Sequence, residues 1–321
     1  MSSSAAPVTV VDDRPGRIDA VPVRHVGRWV AVAIIAVLVA MFVHLLLTNE
    51  AFRWTEIVFP AMVQRPVIEG LLRGTLVVTV GSMLLGVTLG VLIAVMRLSQ
   101  NKVLAYTSWA YTWFFRAIPR YVLLFMIGNL AILLPRIDIG IPFDFVATGL
   151  LGLDTDFRLL GFNTAVIGAS VTGGILGLGL SEAAYMAEIA RAGILSVDKG
   201  QDEAAQALGM SRGKAMRRIV LPQAMRVIVP PTGNETIAMV KDTSLLIALP
   251  LSTELFFQLR SIGSRTFAVF PVAVAATLWY LILGSLFMVG QYYLEKRFGR
   301  GYGTKPSAVA PPVAAGAGTS K

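Results

Sequence analysis

The sequence predicts an all-α integral membrane protein with about six transmembrane helices. Three observations carry that expectation. Hydrophobic residues make up 55% of the 321 and charged residues only 15%, with a mean hydropathy of +0.69, a balance outside the range of soluble domains. Apolar runs long enough to cross about 30 Å of hydrocarbon recur along the chain between charged segments. If six spans alternate, 20 of the 28 Lys and Arg residues fall on one side of the membrane, the asymmetry that the positive-inside rule describes.

That positional bias also accounts for the net charge of +9, so no nucleic-acid partner is expected. The chain has no cysteine, which excludes disulfides, thiolate catalysis and Cys-based metal sites. Its two histidines, His25 and His44, lie beside or within the first apolar run, far from any carboxylate cluster, and point to no metal site.

Residues 1–28 are rich in Ser, Pro, Val and charge without helical periodicity and read as a disordered cytosolic tail. Residues 29–48 read as a transmembrane helix, because only His44 interrupts the apolar run from Trp29 to Leu47. The run starts too late, is too long and lacks the cleavage site of a signal peptide. Residues 49–69 are mixed, with Trp54 and Phe59 suited to an interface, and read as an extracytoplasmic surface segment.

Thr75–Met96 is the next span, and Gly86 with Gly90 gives it a small face for close helix contact. Arg97–Arg120 holds Arg97, Lys102, Arg116 and Arg120 and no acid, interleaved with Trp109, Tyr111, Trp113 and Phe114. That mixture predicts an interfacial helix under anionic headgroups. Tyr121–Leu134 is a short span, either tilted or extended by Pro119 and Arg120. Pro135–Leu160 reads as an acidic outer loop, with Asp138, Asp144, Asp154 and Asp156 against Arg136 and Arg158.

Asn163–Leu180 returns to the membrane with Gly168, Gly173, Gly174, Gly177 and Gly179, and Ala183–Leu195 continues as helix. Arg226–Leu251 contains a span bearing Glu235, Lys241 and Asp242. Thr253–Thr266 is a polar connection with Glu254, Arg260 and Arg265, and Phe267–Tyr293 is the last span. Residues 299–321 are basic and then Ala/Pro/Gly-rich, which predicts disorder.

Between the fourth and fifth expected spans lies residues 200–222, GQDEAAQALGMSRGKAMRRIVLP. It carries Asp202, Glu203, Arg212, Lys214, Arg217 and Arg218, with Lys199 immediately ahead. Such a stretch cannot sit in hydrocarbon. It predicts two short helices joined at a glycine. Asp202 and Glu203 fall in the first turn, where carboxylates favour the positive end of the helix dipole, and Ala204 to Leu208 are helix formers. Gly209 stands where a left-handed cap is needed. Ser211 is placed to cap the second helix, Met216, Ile219 and Val220 give it an apolar stripe, and Pro222 is placed to limit it.

The residues Glu203, Ala204 and Ala205, then Gly209, then Ile219, Leu221 and Pro222 resemble the EAA loop of ABC-importer permeases. AYMAEIARAGILSVDKGQDEAAQALG (Ala184–Gly209) and PPTGNETIAMVKDTSLL (Pro230–Leu246) resemble the polar amino acid branch of that family, the histidine, glutamine, glutamate and arginine type. Phe115, Arg116, Ala117, Ile118 and Pro119 resemble its FRGTP motif with departures at Ala117 and Ile118. Where the family continues with a glutamine-containing apolar run, this chain has Arg120.

The resemblance covers about Gly70 to Phe298. It implies a five-helix type I permease core over residues 70–298, with residues 29–48 as an extra N-terminal helix. Glu203, Ala204, Ala205, Gly209, Leu221 and Pro222 would dock into a cleft of the ATPase. The implied partners are an ABC ATPase dimer, a second permease chain (this one or a related one), an extracytoplasmic substrate-binding protein and the lipid bilayer. ATP and Mg would be bound by the ATPase, with no cofactor in this chain. The implied location is a prokaryotic plasma (inner) membrane, with multiple passes and both termini cytosolic.

The chain's own nearest nucleotide motif, Gly209 to Ala215, has three residues between its glycines instead of four. Ala215 stands where a phosphate loop has the Ser or Thr for magnesium, so no ATP hydrolysis is expected from this chain. Ionisable groups within spans are costly and mark a partner or a polar path. Glu182, Glu188, Asn234, Glu235, Lys241 and Asp242 are therefore the substrate-pathway candidates, and the seven-residue spacing puts Glu235 and Asp242 on one helix face. A zwitterionic amino acid needs an acceptor for its ammonium and a donor for its carboxylate. Asp242 or Glu235 with Lys241 or Asn234 would supply both, against the plainer reading that Lys241 and Asp242 pair with each other. The alternative function is an ion-coupled secondary amino acid transporter with Lys241 and Asp242 in its coupling site, although the chain shows no inverted repeat.

Overall fold

The computed structural model describes residues 26–140, 148–150 and 158–298. The expected tails (1–28 and 299–321) lie outside these residues except for Val26, Gly27 and Arg28, which are helical. Asp144, Asp154 and Asp156 of the expected acidic loop also lie outside them.

The chain divides into two compact units, the first ending at Glu50 and the second starting at Ala51. The first contains helix α1 (Val26–Thr48), whose 23 residues span roughly 35 Å at 1.5 Å per residue, with none buried. All-round apolarity with no buried side chain suits a helix solvated by lipid.

In the second unit, residues 49–69 do more than lie along a surface. From Ala51 onward they form short helical turns whose Ile57, Val58, Ala61 and Val67 are buried against Leu255, Leu259, Val272 and Ala275. The helix Arg65–Glu69 then runs through a π turn (Gly70–Leu76) into α2 (Val77–Arg97), so a domain boundary at Gly70 falls inside one continuous helical run.

The segment expected to lie at the interface is helical and packs one edge against the bundle, its other residues staying exposed. Asn101 caps α3 (Lys102–Ala117), accepting from the Val103 N–H at 2.9 Å. Helix α3 packs on α2 and on the central helix, burying Ser108 and Thr112, and the Tyr111 hydroxyl donates to the Leu180 carbonyl at 2.8 Å. Proline forces the preceding residue out of the helical region, and Ile118 accordingly has ψ 130°. The chain restarts as α4 (Arg120–Gly128), which borrows its first residue from upstream as expected, and Leu130–Leu133 adds a last turn after Asn129.

The outer loop is not wholly irregular. Strand β1 (Arg136–Gly140) pairs antiparallel with β2 (Arg158–Asn163), Ile137 opposite Phe162, with an irregularity between Ile139 and Gly140. Asn163 then caps the turn Thr164–Gly168.

Helix α5 (Val171–Leu195) is the hub, capped by Ser170 and packed against α2, α3, α4 and the helix Leu221–Asp242. Its contact with α2 is close because both faces are small. A Cβ on Gly86 would lie 2.6 Å from Glu182 Cγ, and one on Gly90 would lie 2.5 Å from Met186 Cβ. Helices α6 (Lys199–Ala207) and α7 (Arg212–Ala215) lead through a further π turn (Met216–Val220) into α8 (Leu221–Asp242). Pro222 therefore does not limit the second helix; it sits in the first turn of α8, where a missing N–H is tolerated.

Helices α9 (Leu255–Thr266) and α10 (Val269–Phe298) close the unit. Buried Glu254 locks them together: its carboxylate accepts from Thr75 Oγ1 (3.0 Å), the Tyr280 hydroxyl (2.8 Å) and the Phe256 and Phe257 N–H groups (2.7 and 3.1 Å). Among the described residues, Val26–Thr48, Arg65–Arg97 and Val269–Phe298 are long and apolar enough to cross a membrane. Helices α5 and α8 have comparable length but carry ionisable side chains.

Candidate functional site

The structure gathers three of the expected pathway residues around a side chain that sequence reasoning had assigned to the interface. Arg120 opens α4, directly after the proline break, and its guanidinium points inward between α5 and α8. It donates to Glu182 at 2.8 Å and to Asp242 at 2.5 Å, and lies 3.8 Å from Glu235. Its other face lies over the Tyr185 ring, 4.9 Å from the centroid. One cation thus faces three carboxylates, so the cluster carries surplus negative charge.

The four side chains differ in access. Glu182 is fully enclosed and Arg120 is 13% exposed, whereas Glu235 and Asp242 are 26% and 31% exposed. Oε1 of Glu182 and Oγ of neighbouring Ser181 are buried with no hydrogen-bond partner among the described residues. Buried polar atoms normally find a partner, so this end of the cluster has bonding capacity to spare. The rise of seven residues along α8 brings Glu235 and Asp242 to the same guanidinium, as their spacing predicts.

A second polar feature continues from Tyr185. Arg116 stacks over the same ring at 5.5 Å, and beside it a cleft of about 410 Å³ is lined by Arg97, Trp109, Trp113, Arg116, Tyr185 and Glu188. Glu188 itself pairs with Arg191 at 2.8 Å, one turn along α5. Removing Arg116 and Arg120 from the inner set leaves the Lys/Arg bias standing, with 18 of 28 on that side.

The remaining pathway candidates are elsewhere. Asn234 is exposed on α8 and accepts from Gln291 Nε2 of α10 at 2.9 Å. Lys241 is exposed and has no ion pair among the described residues, so it does not pair with Asp242, whose partner is Arg120. Successive residues on a helix point about 100° apart, which is why Asn234 and Lys241 leave the face that Glu235 and Asp242 share.

The charged loop forms the expected knob, with corrections to its caps. Asp198, one residue before α6, is the N-cap, accepting from the Gly200 N–H at 2.7 Å. Gly209 has φ +74°, and the Gly209 and Met210 N–H groups donate to the Gln206 and Ala205 carbonyls. That pair of bonds is a Schellman cap, which favours glycine at the left-handed position. Ser211 occupies the next N-cap position but its side chain makes no capping bond. Ala205, Ala215 and Val220 are buried and pin the knob, Met216 is exposed, and Glu203, Ala204, Gly209, Leu221 and Pro222 face outward. Leu208, a large apolar side chain next to Gly209, is 83% exposed.

Arg120 and Tyr185 are the members of this candidate site that sequence reasoning missed. The available signal was the departure after Pro119: a cation there, where the resembled family continues with glutamine, sits at the start of a span.

The family model described as binding-protein-dependent transport system inner membrane component matches residues 86–300. The chain is 44% identical to the arginine transport system permease protein ArgU of Corynebacterium glutamicum, over 90% of this chain and 85% of that protein. It is 34% identical to the probable glutamine ABC transporter permease protein GlnM of Bacillus subtilis, over 67% and 85% respectively. A crystal structure of an amino acid ABC transporter with histidines is similar with 29% identity and a TM-score of 0.55, over 72% of this chain and 94% of that one.

Proposed function

The chain belongs to the binding-protein-dependent transport system inner membrane component family, and from that premise we propose how it takes its cargo and how it is driven. It is the membrane permease subunit of an ABC importer for amino acids and not an enzyme, and none of the matches supports an ion-coupled transporter.

The proposed cargo is a cationic amino acid. The observation that carries this is the cluster around Arg120, where three carboxylates from α5 and α8 lie within 3.8 Å of a single guanidinium. A polar path through a low-dielectric bundle with surplus negative charge favours a cation over a neutral or acidic solute. The 44% identical relative, named for arginine, supports the same reading. Glu182, Glu235 and Asp242 with Arg120 are the proposed pathway; Glu188 belongs to the adjoining cleft, and Asn234 and Lys241 do not belong to the cation site.

The proposed drive is external. The knob formed by residues 198–222 docks on an ATPase subunit through Glu203, Ala204, Gly209, Leu221 and Pro222, while buried Ala205 holds its shape. ATP and Mg are bound by an ATPase dimer, and a second permease chain and an extracytoplasmic binding protein complete the importer. In a prokaryotic inner membrane the knob and both termini face the cytosol, the side that the Lys/Arg bias favours. Movement of the knob rocks α5 and α8 against α2 and α4, opening the cluster to one side and then the other.

Proteoliposomes containing the assembled importer test this reading. The expected result is uptake of L-arginine that requires ATP on the knob side and persists with a protonophore present. Uptake abolished by the protonophore at constant ATP would contradict it.

A further inference from the structure

We propose that the Arg120 guanidinium is a tethered stand-in for the cargo's own cation, occupying the site that Glu235 and Asp242 present and yielding it when cargo arrives. The inference rests on the permease reading and adds a mechanism of competition within the site.

Arg120 is held by three carboxylates and by the Tyr185 ring. Two of its three carboxylate contacts differ in kind from the third. Glu182 is fully enclosed by α2 and α5, with Gly86 of α2 directly against its stem, so it cannot follow a moving partner. Glu235 and Asp242 are partly open and lie on one face of α8. Arg120 can therefore keep Glu182 on one side of its planar fork and the Tyr185 ring on its face, while giving up Glu235 and Asp242. A guanidinium or ammonium from outside would meet two carboxylates already set at the spacing that Arg120 now bridges.

Charge balance favours this exchange over simple addition. With Arg120 and Glu182 neutralising each other, Glu235 and Asp242 are left as two like charges facing one point, both less than a third exposed, a costly state unless a cation is present. In the empty permease Arg120 partly supplies that cation, and in the loaded permease the cargo supplies it. The unpartnered Oε1 of Glu182 marks the spare bonding capacity into which Arg120 can settle as it withdraws. The tether keeps the path closed to small inorganic ions between cargo molecules and weakens resting affinity, which helps release.

Calorimetric titration of L-arginine, guanidinium ion and L-glutamine into the permease with its ATPase in nanodiscs tests the proposal. For Arg120→Gln, arginine and guanidinium are expected to bind about tenfold more tightly than to the wild type, because the internal competitor is gone, with glutamine little changed. If Arg120 instead anchors the cargo's carboxylate, Arg120→Gln weakens arginine and glutamine alike and leaves guanidinium unmoved, which overturns the proposal. Should buried Glu182 without its partner prevent folding, the double variant Arg120→Gln with Glu182→Gln removes the enclosed pair together. Tighter cation binding by the double variant supports the tether, and unchanged or weaker binding overturns it. Wild-type uptake is a separate arm: glutamine carried in preference to arginine would sink the cargo reading, while the guanidinium titration would still report on Arg120.

Discussion

Two polar regions interrupt this apolar chain, and they are built on opposite principles. The knob at residues 198–222 is local, and its caps and helix ends are closed by hydrogen bonds between residues a few positions apart. The cluster at Arg120 is assembled from distant parts, 62 residues separating Arg120 from Glu182 and 122 separating it from Asp242. The knob is exposed and its charges are individually worth little to stability; the cluster has an enclosed end at Glu182 and a more open one at Glu235 and Asp242, and its enclosed members depend on each other. A part that docks on a partner must keep its shape when alone, whereas a part that handles cargo must be held by the helices that move.

Substitutions in the two regions should therefore separate stability from coupling. The largest effect is expected for Arg120→Ala, which leaves the Glu182 carboxylate buried and unpaired. A loss of about 3–5 kcal/mol is expected, read as a lower midpoint in detergent unfolding, with most of it recovered when Glu182→Gln is added. Recovery would show that the penalty comes from the orphaned charge; no recovery would place it in packing.

Next comes the frame of the cluster. In Gly90→Val the first added carbon would lie 2.5 Å from Met186 Cβ and 3.0 Å from the Ala183 carbonyl, with no space to retreat. Overpacking at this contact should cost about 1–3 kcal/mol. Transport should fall although every charged residue remains, and normal transport would show that α2 and α5 need not stay in register.

At the knob the order reverses, with small structural effects and large functional ones. Gly209 has open space around its missing Cβ, so Gly209→Asp meets only the left-handed backbone cost, about 1–2 kcal/mol. The variant should fold and insert while ATP hydrolysis continues without transport; normal transport would remove the docking role. Glu203→Ala should change stability by less than about 0.5 kcal/mol, yet reduce recovery of the ATPase in co-purification. Unchanged recovery would exclude Glu203 from the contact.

This contrast also explains what could be read from the chain beforehand. The knob was legible because capping, dipole and glycine rules act within a turn or two: Asp202 lies in the first turn of α6 as expected, Asp198 is a cap that the sequence reading did not assign, and Pro222 opens a helix instead of ending one. Glu182, Glu235 and Asp242 were legible as costly intramembrane charges. Arg120 was not, because a basic residue beside aromatic ones reads equally well as a headgroup anchor. Only the folded chain shows the Arg120 guanidinium turned towards Glu182 and Asp242. The strands β1 and β2 were hidden for a related reason: their pairing joins segments some twenty residues apart with no turn signature between.

The account's central claim is that the knob is the grip by which a separate ATPase drives the cluster. Because the chain has no cysteine, a single Leu208→Cys substitution places one reactive thiol at an exposed position of the knob. A short thiol-to-amine cross-linker applied to the assembled importer should then join this chain to the ATPase subunit in high yield, changing with ATP. A thiol labelled only from the extracytoplasmic side, or cross-linked to no ATPase under any nucleotide condition, would contradict the account.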